Sequence, residues 1–561
     1  MTTAVISAAP ARSAQRQSLA GLGTLIGFTL KRNWGRFLVW LVIVVGMMGY
    51  IGNFYQTTFS APTKPGEQSA LEGFISTVHS PALTAMVGII SQPESISGAV
   101  WCKYWMFGSL MLGIGMLFLM TRNLRADEDQ GRAELIRSTP LGIHARLMTS
   151  VGWMSVVSIV TGLVAGGVLA AMNLTTDGTR QVMTSAQAAN GAMLMGLSMA
   201  LVGLLGVGIG AVTNELSPSS GAANGIGIAV FGVFYLLRAF GDLGGNALVW
   251  LSPMGWAQKT DPWGANRWWL AGVVIVFAAV LVGVAWLIQS RRDLDASVIR
   301  ASHGHPAASG FLQTIVGLGT RLQRGSLIGW LIGIVVFGGL VSSVMQSMSD
   351  MLANSALANG PLGDIVSGGL KALAAGLLVP LIALAISVFA AQSATTLRAD
   401  EAHGVLEAQL AGAVSRTSWA LQRLAITVIG TVVLLLVAGA IVGQSYAGLV
   451  AGGSMADIVG AFLAYLPACL LLASVFVLGF GWWPRQSVLV TWIVVGFLWV
   501  IMMVGIAIRI PQWFLDLMPF NATPQLPAAA MDWRPIVIMS AIAVVFSAVG
   551  LIGLRRRNVP A

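Results

Sequence analysis

The residues of this chain that could do chemistry are concentrated in one charged motif that occurs twice. The first copy, LRADEDQGRAEL, occupies residues 124–135, and the second, LRADEAHGVLEA, occupies residues 397–408. Seven of the twelve positions are identical, and six residues of the first copy are charged, whereas only 9% of the whole chain is charged. A charged motif repeated in so apolar a chain indicates a surface that meets a soluble partner rather than lipid.

The residue order within the motif predicts a short helix. Helix-forming residues continue the first copy until a Thr-Pro pair at 139–140, which is a helix stop signal. Arg125 with Asp129, and Glu128 with Arg132, have the i,i+4 spacing of helix-stabilising ion pairs. We therefore expect one short charged helix in each half of the chain, docking to a dimeric partner with two equivalent grooves. A solvated loop is the alternative.

The remaining chemistry-bearing residues predict neither an enzyme nor a metal centre. No lysine follows a glycine, so the chain has no phosphate-binding loop and is not itself an ATPase. His303 and His305 lie in a polar stretch and are interpreted as part of a linker rather than as metal ligands. Cys102 and Cys469 fall in apolar runs and are interpreted as small buried hydrophobic residues. We expect no cofactor in this chain.

The elements that carry the motif are membrane-spanning helices. Hydrophobic residues make up 56% of the chain and the mean hydropathy is +0.80, above the usual apolar content of soluble domains. Apolar runs long enough to cross a bilayer recur, which predicts an all-α polytopic membrane protein. Twelve spans are predicted at about 37–55, 101–120, 149–171, 191–212, 222–240, 268–288, 326–345, 372–394, 425–443, 458–480, 486–508 and 536–554.

The basic residues predict the orientation of these spans. Of the 31 lysines and arginines, 22 fall in segments on the side of the N-terminus and seven in segments on the opposite side. The positive-inside rule then places both termini and both copies of the motif in the cytoplasm. The same rule explains the net charge of +10 without a nucleic-acid partner. We expect membrane lipid to surround the spans.

The two halves of the chain repeat beyond the motif. Pro218 and Pro484 are 266 residues apart, and so are Pro253 and Pro519. The sequence LIQSRR (287–292) resembles LIGLRR (551–556). An even number of spans per unit predicts two parallel six-helix repeats. We assign residues 1–290 to the first half, 291–325 to a cytoplasmic linker with an amphipathic helix, and 326–561 to the second half.

Apolar residues precede the first span of each half at helical spacing. They are Leu19, Leu22, Ile26 and Leu30 in the first half, and Phe311, Ile315, Leu318 and Leu322 in the second. This pattern predicts a helix along the inner membrane surface. A plain inner extension of the span is the alternative.

The sequences RADEDQGRAELIRSTPLGIHAR and RADEAHGVLEAQLAGAVSR resemble the loop after the second span of ABC-2-type transporter permeases. The chain is most similar to the fused, twelve-span permeases of the tetronasin and polyketide-antibiotic exporters. The resemblance implies separate ABC ATPase subunits, two per permease, which bind ATP and Mg. It also implies that each loop is a coupling helix docked in an ATPase cleft, formed by Asp127, Glu128, Gly131, Arg132 and Glu134 and by Asp400, Glu401, Gly404 and Glu407. Val405 replaces Arg132 in the second copy, so unequal contacts are expected.

The resemblance further implies a substrate path and two re-entrant segments. The second and fifth spans would line the path with Met106, Met111, Phe231, Phe234, Tyr235, Phe497, Trp499 and Met502. Packing against lipid or another span is the alternative for each. Residues 246–256 and 511–526, which are apolar and broken by proline, would either dip into the outer leaflet or lie at the interface.

Three classes of function are compatible with these observations. The first is the permease subunit of an ATP-driven exporter in a bacterial plasma membrane, moving hydrophobic or amphiphilic compounds such as antibiotics, drugs or lipids. The second is a proton-coupled drug efflux carrier of the major facilitator type, and the third a membrane enzyme or anchor. None of the predicted spans contains Asp, Glu or His, which disfavours proton coupling. Arg238, near a span end, is expected to snorkel to the interface.

Overall fold

The computed structural model describes residues 19–60, 70–78, 81–291, 298–299, 310, 312, 314–353, 378–402, 404–412, 414–450, 452–504 and 511–557. Its residues form two compact units, Met1–His303 and Gly304–Ala561. Within the described ranges the ordered elements are helices, without a β-strand. The predicted all-α fold is thus confirmed. His303, His305 and Phe311, and most of the linker predicted at 291–325, lie outside these ranges.

Six long helices form the first unit. They are α1 (Leu22–Phe59), α2 (Met106–Asn123), α3 (Ala145–Ala171), α4 (Ser185–Leu216), α5 (Ser220–Gly244) and α6 (Trp269–Ser290). Short helices Ala70–Val78 and Pro81–Val87 follow α1, and Ile96–Val100 and the π-helical turn Trp101–Trp105 lead into α2. Helix α4 is the centre of this unit, because the surrounding helices bury 83% of its most apolar 18-residue stretch.

Six further helices form the second unit. They are α7 (Ile315–Ala353), α8 (Val379–Ala402), α9 (Arg416–Leu449), α10 (Met455–Trp482), α11 (Ser487–Val504) and α12 (Trp533–Arg556). Helix α10 is interrupted at Tyr465, where Met455–Ala464 ends and Leu466–Trp482 begins. Pro467 explains the interruption, since proline lacks the N–H that would bond the carbonyl four residues earlier.

Eleven of the described helices are long and apolar enough to cross a membrane. The twelfth prediction, at 486–508, corresponds to a shorter apolar helix, Ser487–Met502, beyond which residues 505–510 are outside the description. The fold is therefore that of a polytopic membrane protein with about the expected number of spans.

Close helix packing depends on glycine at two crossings. A Cβ on Gly162 of α3 would lie 2.4 Å from the carbonyl oxygen of Gly196 of α4, and the reciprocal distance is 2.2 Å. Between α10 and α12, a Cβ on Gly481 would lie 2.1 Å from the carbonyl oxygen of Gly550. Small residues of this kind let helix backbones approach in lipid, where no hydrophobic force drives helices together.

The segments predicted to lie along the inner surface continue the first span of each unit. Helix α1 runs without a break for 38 residues from Leu22 and α7 for 39 residues from Ile315. Neither stretch contains a proline, so nothing in the sequence ends the helix before the span begins. The structure therefore favours the inner extension over a separate surface helix.

Candidate docking loops and an internal ion cluster

The first charged loop consists of two short helices joined by a left-handed glycine. Helix α2 ends at Asn123, a five-residue helix spans Arg125–Asp129, and a second spans Arg132–Arg137. Gly131 between them has φ +67° and its N–H donates to the carbonyl of Glu128 at 2.8 Å. Only glycine adopts this backbone readily. The chain reverses there, which brings Arg132 back over the first short helix.

Asp127 is the centre of the ion pairs that hold this loop. Its side chain is only 2% exposed. Arg32 of α1 donates to it in a bidentate arrangement, at 2.8 Å to Oδ2 and 2.9 Å to Oδ1. Arg132 donates to the same Oδ1 from Nη2 at 2.6 Å and from Nε at 3.0 Å. Asp127 thus ties the loop to the N-terminal part of α1.

The neighbouring charged residues connect the same loop to two other helices, α3 and α5, and to the segment before α5. Glu128 accepts from Arg125 at 2.9 Å and lies 3.7 Å from Arg146 of α3. Asp129 accepts the N–H of Ser220, in the first turn of α5, at 2.7 Å. The Arg125 guanidinium also donates to the carbonyl of Pro218. The first half of the loop therefore connects α2 with α3, with α5 and with the segment between α4 and α5, and is not a free docking surface.

The second loop has the same plan with different partners. A left-handed Gly404, at φ +71°, joins α8 to the short helix Val405–Leu410. Asp400 pairs with Arg423 of α9. Glu401 pairs with Arg398 at 3.2 Å and takes a bidentate bond from Arg557, at 2.6 and 2.9 Å. The second loop is therefore anchored to α9 and to the C-terminal end of α12, whereas the first is anchored to α1.

The predicted docking residues separate into two groups by exposure. Asp127, Glu128, Asp400 and Glu401 are committed to the ion pairs that anchor the loops. By contrast, Glu134 and Glu407 lie on the solvent-facing surface of the short helices after the glycines. They occupy equivalent positions, three residues beyond Gly131 and Gly404. Asp129 of the first loop is exposed as well, but Glu134 and Glu407 are the exposed acidic side chains that both loops share.

One predicted ion pair is replaced by another. Arg125 and Asp129 approach to 3.5 Å, as the i,i+4 spacing predicts. Glu128 and Arg132 do not lie on one helix, because the first short helix ends at Asp129. The reversal at the left-handed glycine directs Arg132 to Asp127 instead.

The anchoring arginines have no distinguishing pattern in the sequence. Arg32, Arg423 and Arg557 were counted only as basic residues that set the orientation of the spans. Arg32 and Arg557 stand next to span ends in the sequence, a position at which a basic residue faces the inner surface whatever its partner. The sequence therefore contained no signal that distinguished these pairs from ordinary topology determinants.

The expectation that Arg238 snorkels to the interface is wrong, and α5 extends beyond the span predicted at 222–240. Helix α5 continues to Gly244 and contains Asp242, whose side chain is fully buried. Arg238 is also fully buried and donates to the carbonyls of Ala85 and Met86, at 2.6 and 3.1 Å. It finds these partners inside the unit, so it does not need to reach the interface.

Asp242 is surrounded by donors. Arg238 lies 3.9 Å from its Oδ2, Lys259 lies 3.2 Å from its Oδ1, and Gln258 donates to Oδ2 at 2.8 Å. This arrangement joins α5 to the segment at 81–87 and to the helix at 253–258.

The residues proposed to line a path are placed mainly in the cores of the two units. Met106 and Phe231 are buried, and the Phe231 ring packs on Gly113 of α2. Phe234 and Tyr235 pack against the same core, and Tyr235 donates to the carbonyl of Met86. Trp499 and Met502 pack against the core of the second unit, while Met111 is partly buried and Phe497 is exposed. Met106 and Phe231 therefore pack inside the first unit, and the path itself stays a prediction.

The predicted re-entrant segments each contain two short helices. In the first unit they are Ala247–Leu251 and Pro253–Gln258, and in the second Gln512–Asp516 and Pro519–Ala522. Pro253 and Pro519 each begin the second of the two short helices, and proline is well tolerated in the first turn of a helix. The depth of these segments in the membrane stays a prediction.

The long apolar helices and the ion-paired loops at their ends place the chain in the class of all-α polytopic membrane proteins. A family model described as the C-terminal domain of the multidrug efflux system permease Rv1217c matches residues 312–555. The multidrug efflux system permease protein Rv1217c of Mycobacterium tuberculosis (strain ATCC 25618 / H37Rv) is 32% identical over 487 residues, which cover 86% of this chain and 85% of that protein. The chain belongs to this family of multidrug efflux permeases and is a transport protein rather than an enzyme.

Proposed function

We propose that the chain is the permease subunit of an ATP-driven ABC exporter. In this proposal two copies of a separate ATPase subunit bind the cytoplasmic loops at 124–137 and 401–410. ATP and Mg are held by the ATPase, and hydrophobic or amphiphilic compounds are exported across a bacterial plasma membrane with both chain termini inside. The multidrug efflux relative supports drug export, and the resemblance of the loops to coupling helices supports the ATPase partnership.

The observation that carries the proposal is the shared build of the two loops. Each presents one exposed glutamate, Glu134 or Glu407, on a short helix after a left-handed glycine. Each is fixed to the span helices behind it by buried carboxylates. A partner that pushes on the exposed helix would move α1 through Asp127 and Arg32, and α9 and α12 through Asp400 and Glu401. Such a rigid connection is what converts ATPase closure into helix movement.

The experiment compares ATPase capture by charge-reversed permeases. The double variant Glu134→Lys with Glu407→Lys should reduce co-purification of the ATPase and abolish stimulation of ATP hydrolysis. A cleft that accepts two glutamates would repel two lysines at the same positions. The matched control is Glu72→Lys with Glu94→Lys, which reverses two exposed glutamates in the segment between α1 and α2. Normal capture and coupling by the first double variant, with normal membrane insertion, would refute the docking role.

A further inference from the structure

A cavity lies in the first unit, at the end of α5 that is opposite the charged loop. Its volume is about 490 Å³, and it is bounded by the last turn of α5, the short helix Ala247–Leu251 and the start of α6. Two basic residues, Lys259 and Arg267, line it together with the carboxylate of Asp242. The cavity therefore places charged groups at one end of the apolar helices.

A closed loop holds the two basic residues side by side. The backbone N–H of Arg267 donates to the carbonyl of Thr260 at 2.7 Å, and its guanidinium donates to the carbonyl of Lys259 at 3.2 Å. Trp263, inside the loop, has φ +61°, which residues other than glycine rarely adopt. Its indole donates to the carbonyl of Ala188 of α4 at 3.0 Å. The loop is therefore fixed to the helices, and so are the positions of its two cations.

The charges of the cavity are not balanced. Asp242 lies 3.2 Å from Lys259 and is shared with Arg238, which lies 3.9 Å away. Arg267 makes no ion pair with any residue that the structure describes. The carboxylate of Asp261 accepts a backbone N–H of its own loop and does not line the cavity. Two cations and one carboxylate thus line the cavity, and an anionic group with a single charge would neutralise them.

Apolar side chains form another part of the lining. Val249 is buried, whereas Ile89, Trp250 and Trp269 are exposed. Tryptophan is enriched where the membrane meets water, which is the depth at which a lipid headgroup joins its acyl chains. The cavity therefore offers cations to a headgroup and an apolar wall to a chain.

We propose that this cavity binds a phospholipid by its phosphate group. Arg267 and Lys259 donate to the phosphate oxygens, and an acyl chain leaves the cavity along Trp250 and Trp269. A phosphodiester carries one negative charge, and arginine and lysine are the side chains that bind phosphate best. The loop that leads into α12, TPQLPAAAMD at 523–532, contains neither lysine nor arginine, so the site belongs to the first unit. This inference goes beyond the proposed function, since the phospholipid is a bound component and not the exported compound.

The test uses the purified full chain in dodecyl maltoside, a detergent without phosphate. The probe is a phosphatidylglycerol that carries a photoreactive diazirine in one acyl chain. After illumination, mass spectrometry should find the label in the peptide covering 246–269, and unlabelled phosphatidylglycerol should displace it. Arg267→Gln should weaken the apparent affinity by about tenfold, because a charged hydrogen bond is lost. Arg267→Lys should recover most of the affinity, because lysine also binds phosphate as a point charge.

The matched control is Arg534→Gln, which removes an exposed arginine beside Trp533 at the start of α12. Arg534 does not line the cavity, so this variant should change the affinity by less than about twofold. Labelling that is equally strong in Arg267→Gln and in the wild type would overturn the proposal.

Competition on the wild-type chain tests the ligand without any substitution. Diacylglycerol has the acyl chains without the phosphate and should not displace the probe. Displacement equal to that by phosphatidylglycerol would leave only an apolar pocket and overturn the phosphate contact. Inorganic phosphate at millimolar concentration should not displace the probe either, and displacement by it would make the cavity a site for free anions rather than for lipid. Because the assay contains neither ATP nor partner, its outcome is independent of whether the loops at Glu134 and Glu407 dock an ATPase.

Discussion

Substitution of Asp127 by asparagine should loosen the first charged loop without unfolding the helices around it. The carboxylate accepts four hydrogen bonds, two from Arg32 and two from Arg132, and its side chain is 2% exposed. Breaking a fully buried ion pair costs about 3–5 kcal/mol. The two arginine side chains are 26% and 47% exposed, so water partly replaces the lost partner. We therefore expect a loss of about 2 kcal/mol, less than for a fully buried pair.

This free energy predicts a measurable change in local opening. A loss of about 2 kcal/mol raises the open population of the loop by roughly 30-fold, since each 1.4 kcal/mol is a factor of ten. Hydrogen–deuterium exchange of a peptide covering 124–137, in nanodiscs, reports this population through amides such as that of Gly131. The exchange rate should rise by about that factor, while peptides from α4 stay unchanged.

The control for this measurement is Glu134→Gln, because its carboxylate lies on the exposed side of the same loop. It should alter exchange by less than about twofold, as exposed charges contribute little to stability. Equal exchange in Asp127→Asn and wild type would show that the ion pairs do not hold the loop. The coupling of the loop to α1 would then lose its physical basis.

Three further outcomes are expected. Single cysteines introduced as Ser138→Cys and Ala411→Cys should resist an impermeant thiol reagent in intact cells and react after permeabilisation, and labelling from outside would invert the orientation. Asp242→Asn should lower the free energy of unfolding by about 2–4 kcal/mol, because it leaves the buried Arg238 without a carboxylate partner. ATP-driven transport per folded molecule should stay intact. Selective loss of transport in a stable variant would favour a proton-carrying Asp242. Gly481→Ala should destabilise the α10–α12 crossing by about 1–3 kcal/mol, and an unchanged melting temperature would contradict the close approach of these helices.

The fold could be predicted from the sequence because bilayer thickness sets the length of an apolar run. The predicted spans therefore correspond to long helices, and the two copies of the motif correspond to two loops of the same build. The ends of the helices could not be predicted as well. Helix α5 extends beyond its apolar run to Asp242 because Arg238, Gln258 and Lys259 surround that carboxylate. Hydropathy treats such a residue as a boundary, whereas tertiary partners allow it inside a helix.

The candidate site shows the same limit at the level of single residues. Spacing predicted the Arg125–Asp129 pair, but it could not predict that the left-handed Gly131 would direct Arg132 to Asp127. Nor could spacing predict the long-range partner Arg32, 95 residues away in sequence. Exposure, which separates the anchoring carboxylates from Glu134, is a property of the folded chain.

The central claim is that transport by this chain is driven by ATP through a separate subunit, and transport in proteoliposomes tests it most directly. Vesicles containing the chain and its ATPase are loaded with ATP and a hydrophobic fluorescent dye or antibiotic. Transport should continue in the presence of a protonophore and stop when ATP is replaced by a non-hydrolysable analogue. Transport driven by an imposed pH gradient without nucleotide would contradict the claim and assign the chain to the proton-coupled carriers.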